Sequence, residues 1–234
     1  MINNEDFETY LYISNDKFTI SVFSKLNFKL LYKEKFIFEN NKNEFNENSL
    51  IKFLDNNIFK IENKFNNFID NLNLIIDNEN FISIDISIKK NLYGDFPSKN
   101  NQLNLLSDLR NELKKNYADQ SIIHLIINSF LVDGSIVKNI DYNLKCQNFC
   151  IELTFICLSK NEIVYYQKIL KKYQISINKI INGKYIKRFF LDQNLDECEM
   201  GLKIVLGENP NEIFFHTKSQ KNQGFFEKFF RLFS

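Results

Sequence analysis

Apolar and polar residues broadly alternate in three short runs near the start of the chain, Thr9 to Ser14, Phe18 to Phe23 and Phe28 to Phe38. A period of two predicts strands, and three in succession predict a β-meander. From Leu50 to Asn71 the rhythm changes: Leu50, Phe53, Leu54, Ile58, Ile61, Phe65, Phe68 and Ile69 recur at three or four residues. That spacing predicts a helix, with Asn48 or Ser49 placed to cap it. Strands are expected again at Leu72 to Ile76 and Phe81 to Ile88, then a loop around Pro97 and a helix from Gln102 to Tyr117.

Ser121 to Ile181 reads as a compact α+β stretch. The strand IIHLIINSFLVDG ends in Asp133-Gly134, a pair suited to a tight turn. An irregular connection leads to the strand FCIELTFICLS, a helix from Asn161 to Tyr173, and the strand ISINKII closed by Asn182-Gly183. Beyond it, Lys184 to Asn194 predicts a helix, and Leu202 to Leu206 and Glu212 to Phe215 predict short strands. Thr217 to Gly224 is polar and reads as a tether, and Phe225 to Ser234 reads as a terminal helix. No internal repeat is visible.

Composition narrows the function classes. At 234 residues and 44% hydrophobic content the chain can bury a real core. Its formal net charge of +1 provides no global field to recruit nucleic acid. Cys146, Cys150, Cys157 and Cys198 lack the paired spacing of a zinc site, and His124 and His216 are far apart, so no metal site is expected and the thiols read as core groups of a reducing compartment. No Ser/His/Asp or Cys/His pairing suggests nucleophilic catalysis, and Glu197 and Glu199 read as surface or capping groups. The N-terminus MINNEDFETY has no apolar h-region, and no apolar run approaches the length of a bilayer span. The expected location is cytoplasmic, with any membrane contact peripheral.

The terminal segment is the sharpest feature. On a helical wheel Phe225, Phe226, Phe229, Phe230, Leu232 and Phe233 fall within an arc of about 160°, with Glu227, Lys228 and Arg231 on the rest. Lys218, Lys221, Lys228 and Arg231 against the single Glu227 give a basic polar face suited to anionic headgroups. The same apolar stripe would serve to pack on the chain's own domain; the polar tether and the basic face favour lipid. Phe225, Phe226, Lys228, Phe229, Phe230, Arg231, Leu232 and Phe233 are therefore the candidate membrane-binding residues.

The segments IIHLIINSFLVDGS and CIELTFICLSKNEIVYYQKILKKYQISINKII resemble, in the order of their elements and in the turn Phe130-Leu131-Val132-Asp133-Gly134, the inserted strand-helix-strand-strand subdomain of the bacterial cell-division protein FtsA. The Pro and Gly residues expected in the connection are missing, with Ile140 to Lys145 in their place. Phe7 to Tyr117 resembles that family's first actin-like subdomain, and LDECEMGLKIVLG resembles its return to the core. A membrane-targeting helix after a polar linker also ends FtsA. The resemblance implies an α+β fold: a degenerate actin-like (ribonuclease H-like) subdomain in residues 1–121 and 184–216, an insert at 122–183, a linker at 217–224 and an amphipathic helix at 225–234.

Departures from the family bear on chemistry. Actin-like ATPases cradle phosphate with an Asp, a Gly and a Thr or Ser, since close backbone approach needs Gly and the metal needs a carboxylate. In Leu11 to Lys17, Tyr12 replaces the Asp and Ser14 the Gly; Val205 to Pro210, aligned with the second phosphate loop, lacks the Asp and the glycine run. The second actin-like half, which carries FtsZ docking in the family, has no counterpart. The expectation is a non-enzymatic adaptor without a cofactor, peripheral on the inner face of the membrane at the division site. Its expected partners are an anionic lipid surface, later division proteins and further copies of itself, with FtsZ left open and nucleic acid excluded. The rival reading is a PilM-like scaffold of a pilus or secretion platform, which shares the architecture but does not account for the Phe-rich helix.

Overall fold

Residues 6–38, 46–95, 99–137 and 145–214 are described by the computed structural model. The predicted meander is present as β1 (Phe7–Ser14), β2 (Lys17–Ser24) and β3 (Leu30–Ile37). Helix α1 (Glu47–Phe65) starts earlier than the spacing suggested, because the side chain of Asn46 accepts the Ser49 N–H at 3.2 Å. It also stops earlier, at Asn66, which adopts a left-handed φ of 48° and ends the helix as a C-cap. Phe68, at the tail of the periodic run, is consequently exposed while Ile69 is buried.

The remaining elements are β4 (Asn71–Asp77), β5 (Ile82–Asp95), α2 (Lys99–Asn116), β6 (Gln120–Val132), β7 (Ser135–Val137), β8 (Lys145–Ser159), α3 (Lys160–Lys171), β9 (Ser176–Asn182), α4 (Gly183–Phe189) and α5 (Glu197–Val205). The described residues fall into two units, one from residues up to 80 with 161–208, the other from 81–160 with those after 208. The α+β fold class expected from the sequence holds in both.

In the first unit the strand order is β3-β2-β1-β4-β9, with the meander antiparallel and β1, β4 and β9 parallel. Tyr10 to Ile13 in β1 and Leu72 to Ile76 in β4 are buried at every consecutive position, so both faces of the sheet are covered. Helix α5 packs on β1 and β4, and Gly201 permits it: a Cβ there would lie 2.5 Å from the Cδ1 of Ile75. Burial of each Leu- or Phe-sized side chain contributes roughly 1.5–3 kcal/mol, so these rows, rather than local propensity, hold the sheet and its helices together.

The second unit is an antiparallel sheet in the order β5-β8-β6-β7. One face carries a core of Leu125, Ile127, Phe130, Phe149, Ile151, Leu153 and Phe155, joined by Leu106 and Leu113 of α2. The other face is polar, with Thr154 donating to Asp85 and accepting from Asn128 at 2.8 Å. Asp133 and Gly134 form the two-residue turn between β6 and β7, both at positive φ (49° and 83°), as their sequence signal predicts. The Asp133 carboxylate also accepts the backbone N–H groups of Gln147 and Asn148 at 2.9 and 2.7 Å, tying the hairpin to the start of β8. Residues 209–213 return to this unit: Ile213 donates to the Leu125 carbonyl at 2.8 Å, and buried His124 Nδ1 meets Glu212 Oε1 at 2.6 Å.

Three sequence expectations are corrected. The insert was expected at 122–183, but β9 pairs in parallel with β4, so α3 and β9 belong to the first unit and the segment between its two parts runs from 81 to 160. Leu202 to Leu206 is not a strand; it lies in α5 and its cap. Apolar residues at 198, 200, 202 and 204 mimic strand alternation, yet Cys198, Met200, Gly201, Leu202 and Ile204 are all buried because the helix is enclosed. The helix begins at an Asp196–Glu199 capping box and ends in a Schellman motif, with Gly207 N–H bonded to Ile204 O and Glu208 N–H to Lys203 O. Asn182-Gly183 closes β9, as expected, and also opens α4: the Asn182 side chain accepts the Tyr185 N–H at 2.7 Å. At Glu212 there is a single bridge to Ile126 in place of a strand.

Candidate functional site

The carboxyl ends of parallel strands are where open α/β sheets place their ligands. In the first unit, β1 and β4 end side by side, with Ile13 opposite Ile76 and Ser14 opposite Asp77. The β1–β2 turn, the start of α4 and the start of α5 supply further polar groups there. The phosphate hairpin of an actin-like ATPase would be sought at this corner.

The corner is occupied by the protein's own side chains. Fully buried Tyr12 donates its hydroxyl to Asp77 Oδ2 at 2.7 Å, and Lys187 of α4 reaches the same oxygen at 2.5 Å. Lys17 pairs with Glu197, in the first turn of α5, and Lys187 Nζ stands 4.0 Å from that carboxylate. Both ammonium groups lie over the Tyr12 ring, at 5.4 and 5.3 Å from its centroid, within cation–π range. Ser14 donates to Asp16 and accepts the Lys17 N–H at 3.1 Å, closing the turn without glycine. Gly183 is needed at the edge of this knot: a Cβ there would lie 2.4 Å from the Cβ of Asp77, so only glycine lets α4 bring Lys187 in so closely.

The electrostatics follow from this packing. Burial, and then the hydrogen bond to Asp77, push the Tyr12 phenol far above its ordinary range, so it stays a neutral donor. Burial alone would raise the Asp16 carboxyl, but the Ser14 hydroxyl, its backbone and the charges of Lys17 and Lys187 outweigh it and hold the group below the usual range. Lys17 and Lys187 are thus engaged with Asp77 and Glu197. An incoming phosphate would have to displace those carboxylates.

Beside the knot lies a cleft of about 400 Å³, lined by Ser14, Asn15, Asn78, Glu79, Asn80, Glu162 and Tyr165 among others. Asn78 and Asn80 both donate to Glu162 Oε1, at 3.1 and 2.9 Å, and Tyr165 donates to Glu47 at 2.8 Å. No lysine or arginine lines it, and two carboxylates do. A polyphosphate would meet like charge here.

The sequence located the β1–β2 turn and the Tyr12 and Ser14 departures, but Asp77, Lys187 and the partners of Lys17 were not legible. They stand far apart in the chain and meet only through the sheet and two short helices. Glu197, read as a surface or capping group, is the partner of Lys17. The eight candidate membrane-binding residues, Phe225 to Phe233, lie outside the described residues, as do the tether and the terminal helix. Cys146, Cys157 and Cys198 are buried, and burial pushes the Cys198 thiol up to about 12. Among the described residues no group of three or more His, Cys, Asp or Glu could hold a metal ion, and no helix is long and apolar enough to cross a membrane.

No protein-family model matches the sequence. No curated protein matches it either. Among solved structures, the chain is similar to the cytoplasmic domain of EpsL, an inner-membrane component of the type II secretion system of Vibrio cholerae, at 10% identity and a TM-score of 0.37, covering 77% of this chain and 59% of that one. It is similar to a chain of the PilM–PilN type IV pilus biogenesis complex at 10% identity and a TM-score of 0.46, covering 88% and 52%. A Bacteroides thetaiotaomicron protein with an actin-like ATPase fold and unknown function matches at 13% identity and a TM-score of 0.33, covering 83% and 61%. The chain therefore spans between half and two thirds of each of these neighbours. With TM-scores below 0.5 and identities of 10–13%, these likenesses assign neither a family nor a role.

Proposed function

We propose that the protein is a non-catalytic adaptor that holds protein partners at a membrane surface, on an actin-like fold whose nucleotide corner has become a structural ion-pair knot. The observation that carries the reading is the contact of Tyr12 and Lys187 with one oxygen of Asp77 at the end of β4. Both lysines that could neutralise phosphate are engaged by carboxylates, and the phenol of Tyr12 fills the position where the family resemblance calls for an Asp. The neighbouring cleft adds acidic groups and no cation. The membrane half of the proposal is supported by the two-faced sequence of Phe225 to Phe233 and its basic flank.

In its finer form the adaptor is FtsA-like and serves the division machinery, joining cytoplasmic division proteins, and itself, to anionic lipid. A PilM-like scaffold of a pilus or secretion platform is the alternative, and the genes beside this one discriminate the two. Calorimetry with ATP and magnesium tests the shared premise. No binding heat is expected; micromolar, magnesium-dependent affinity would overturn the adaptor reading. Flotation with anionic vesicles tests the membrane half.

A further inference from the structure

Strand β5 forms an edge of the second unit's sheet, and among the described residues no strand pairs with its outer side. It runs from Ile82 to Asp95, with regular pairing to β8 from Ile82 to Asn91 before a bulge. An open edge of this length presents a row of backbone donors and acceptors to any extended chain. The side chains determine which chain fits.

Ile84, Ile86 and Ile88 lie on the core side and are only partly buried, while Ser83, Asp85, Ser87 and Lys89 are exposed on the polar side. Asp85 and Lys89 stand two residues either side of Ser87. We infer that β5 is a self-association edge, pairing antiparallel with β5 of a second copy about a two-fold axis at Ser87. That register sets Asp85 of each copy opposite Lys89 of the other, and Ile86 opposite Ile88. Two cross-strand ion pairs and a continued apolar row form together, because directly opposite residues share a face at about 5 Å between Cβ atoms. Moving the axis by one residue, to Ile86 or Ile88, pairs neither charge. A two-fold contact of this kind is closed, so it yields a dimer and not a fibre. A register centred on Asp85 or on Lys89 instead sets like charges opposite each other, one of the ways edge strands are kept from indiscriminate pairing. The inference does not depend on the adaptor reading.

Sedimentation velocity on the full chain tests it through a charge exchange. The wild-type protein is expected to show a concentration-dependent monomer–dimer equilibrium. Asp85→Lys alone or Lys89→Asp alone sets like charges opposite each other twice, and each is expected to weaken the dimer by roughly tenfold. Mixing the two variants restores opposite charges across both positions and is expected to recover a heterodimer as tight as the wild type. Asp85 also accepts a bond from Thr154, so Asp85→Lys is checked by thermal unfolding. Ser87→Cys provides a second route: a residue on the axis faces its own copy, and oxidation is expected to produce a covalent dimer that Ser83→Cys and the wild type do not form. A wild-type chain that stays monomeric at every soluble concentration overturns the proposal. So does a dimer that neither charge variant weakens, a mixture no tighter than its components, or crosslinking equal at Ser83 and Ser87.

Discussion

Tyr12 donates a hydrogen bond from its hydroxyl to Asp77 at 2.7 Å across 65 positions of sequence, joining the end of β1 to the end of β4. The same carboxylate holds Lys187, and the Tyr12 ring lies under two ammonium groups. The hydroxyl at the end of β1 is thereby committed to a carboxylate of the protein's own sheet. Hydrogen bonds to charged groups contribute more than neutral ones, about 1.5–3 kcal/mol, so the contact is a measurable part of the unit's stability.

Tyr12→Phe removes the donor and leaves the ring. It is expected to lower the urea midpoint by the equivalent of about 1–2 kcal/mol with an unchanged slope. Tyr12→Asp should cost more, since it sets a second carboxylate against Asp77, and should not produce ATP binding in calorimetry. An unchanged midpoint for Tyr12→Phe would mean that the bond is not formed in solution.

Alkaline pH should destabilise the protein. Burial raises the phenols of Tyr10, Tyr12 and Tyr166 above the ordinary value. Their contribution to stability is therefore complete below the unfolded-state value of about 10 and is lost as pH rises past it, because the unfolded chain ionises first. Urea midpoints taken from neutral to strongly alkaline pH should fall, and should fall less steeply in Tyr12→Phe. A flat profile would contradict the burial of these rings.

Gly183→Ala is expected to destabilise by about 1–3 kcal/mol, the usual range for forcing atoms into a packed site. Its new Cβ would lie 2.4 Å from the Cβ of Asp77 and 3.0 Å from its Cα, and backbone cannot swing aside as a side-chain end can. Since α4 must move away, Lys187 should also lose Asp77, so Gly183→Ala and Lys187→Met should be strongly non-additive in a double-mutant cycle.

His124→Leu should destabilise the second unit by roughly 3 kcal/mol, because it removes the imidazole from the carboxylate of buried Glu212. Glu212→Gln keeps a hydrogen-bonding group of the same shape and should cost much less. Hydrogen exchange at Ile127 and Ile213, whose N–H groups bind Asn211 O and Leu125 O, reports the same loss locally. Equal costs for the two variants would show that the pair contributes only by packing.

Phe229→Glu should abolish flotation with anionic vesicles, since it sets a charge in the apolar arc of the terminal segment. Arg231→Glu should weaken binding by about 1–2 kcal/mol, with the difference reduced in high salt. Truncation after Ser219 should release the protein from vesicles without lowering its melting temperature. A destabilised truncation and background flotation of the intact chain would assign the phenylalanines to the chain's own core instead.

Several elements of both units could be read from the sequence because their signals are local. Alternation defined the meander, three-and-four spacing found α1, and Asp133-Gly134 announced the hairpin whose two residues adopt positive φ. The Tyr12 and Ser14 departures from a phosphate hairpin were visible in the same way, as residue types at a turn. What periodicity could not supply was partnership. The apolar run ISINKII reads as a strand wherever it pairs, and only its parallel register with β4 places it in the first sheet and shifts the boundary between units to 81–160. Helix α5 is only nine residues long and its buried Cys198, Met200, Leu202 and Ile204 fall at every second position, so the run passes for a strand, although its Asp196–Glu199 cap was there to be read. The knot at Asp77 needed the tertiary structure most of all. Lys17, Lys187 and Glu197 are ordinary surface residue types in the sequence, and become a site only because the ends of two parallel strands and the starts of two helices bring their charges together, with Lys17, Asp77 and Glu197 mostly buried and Lys187 open to solvent on one side.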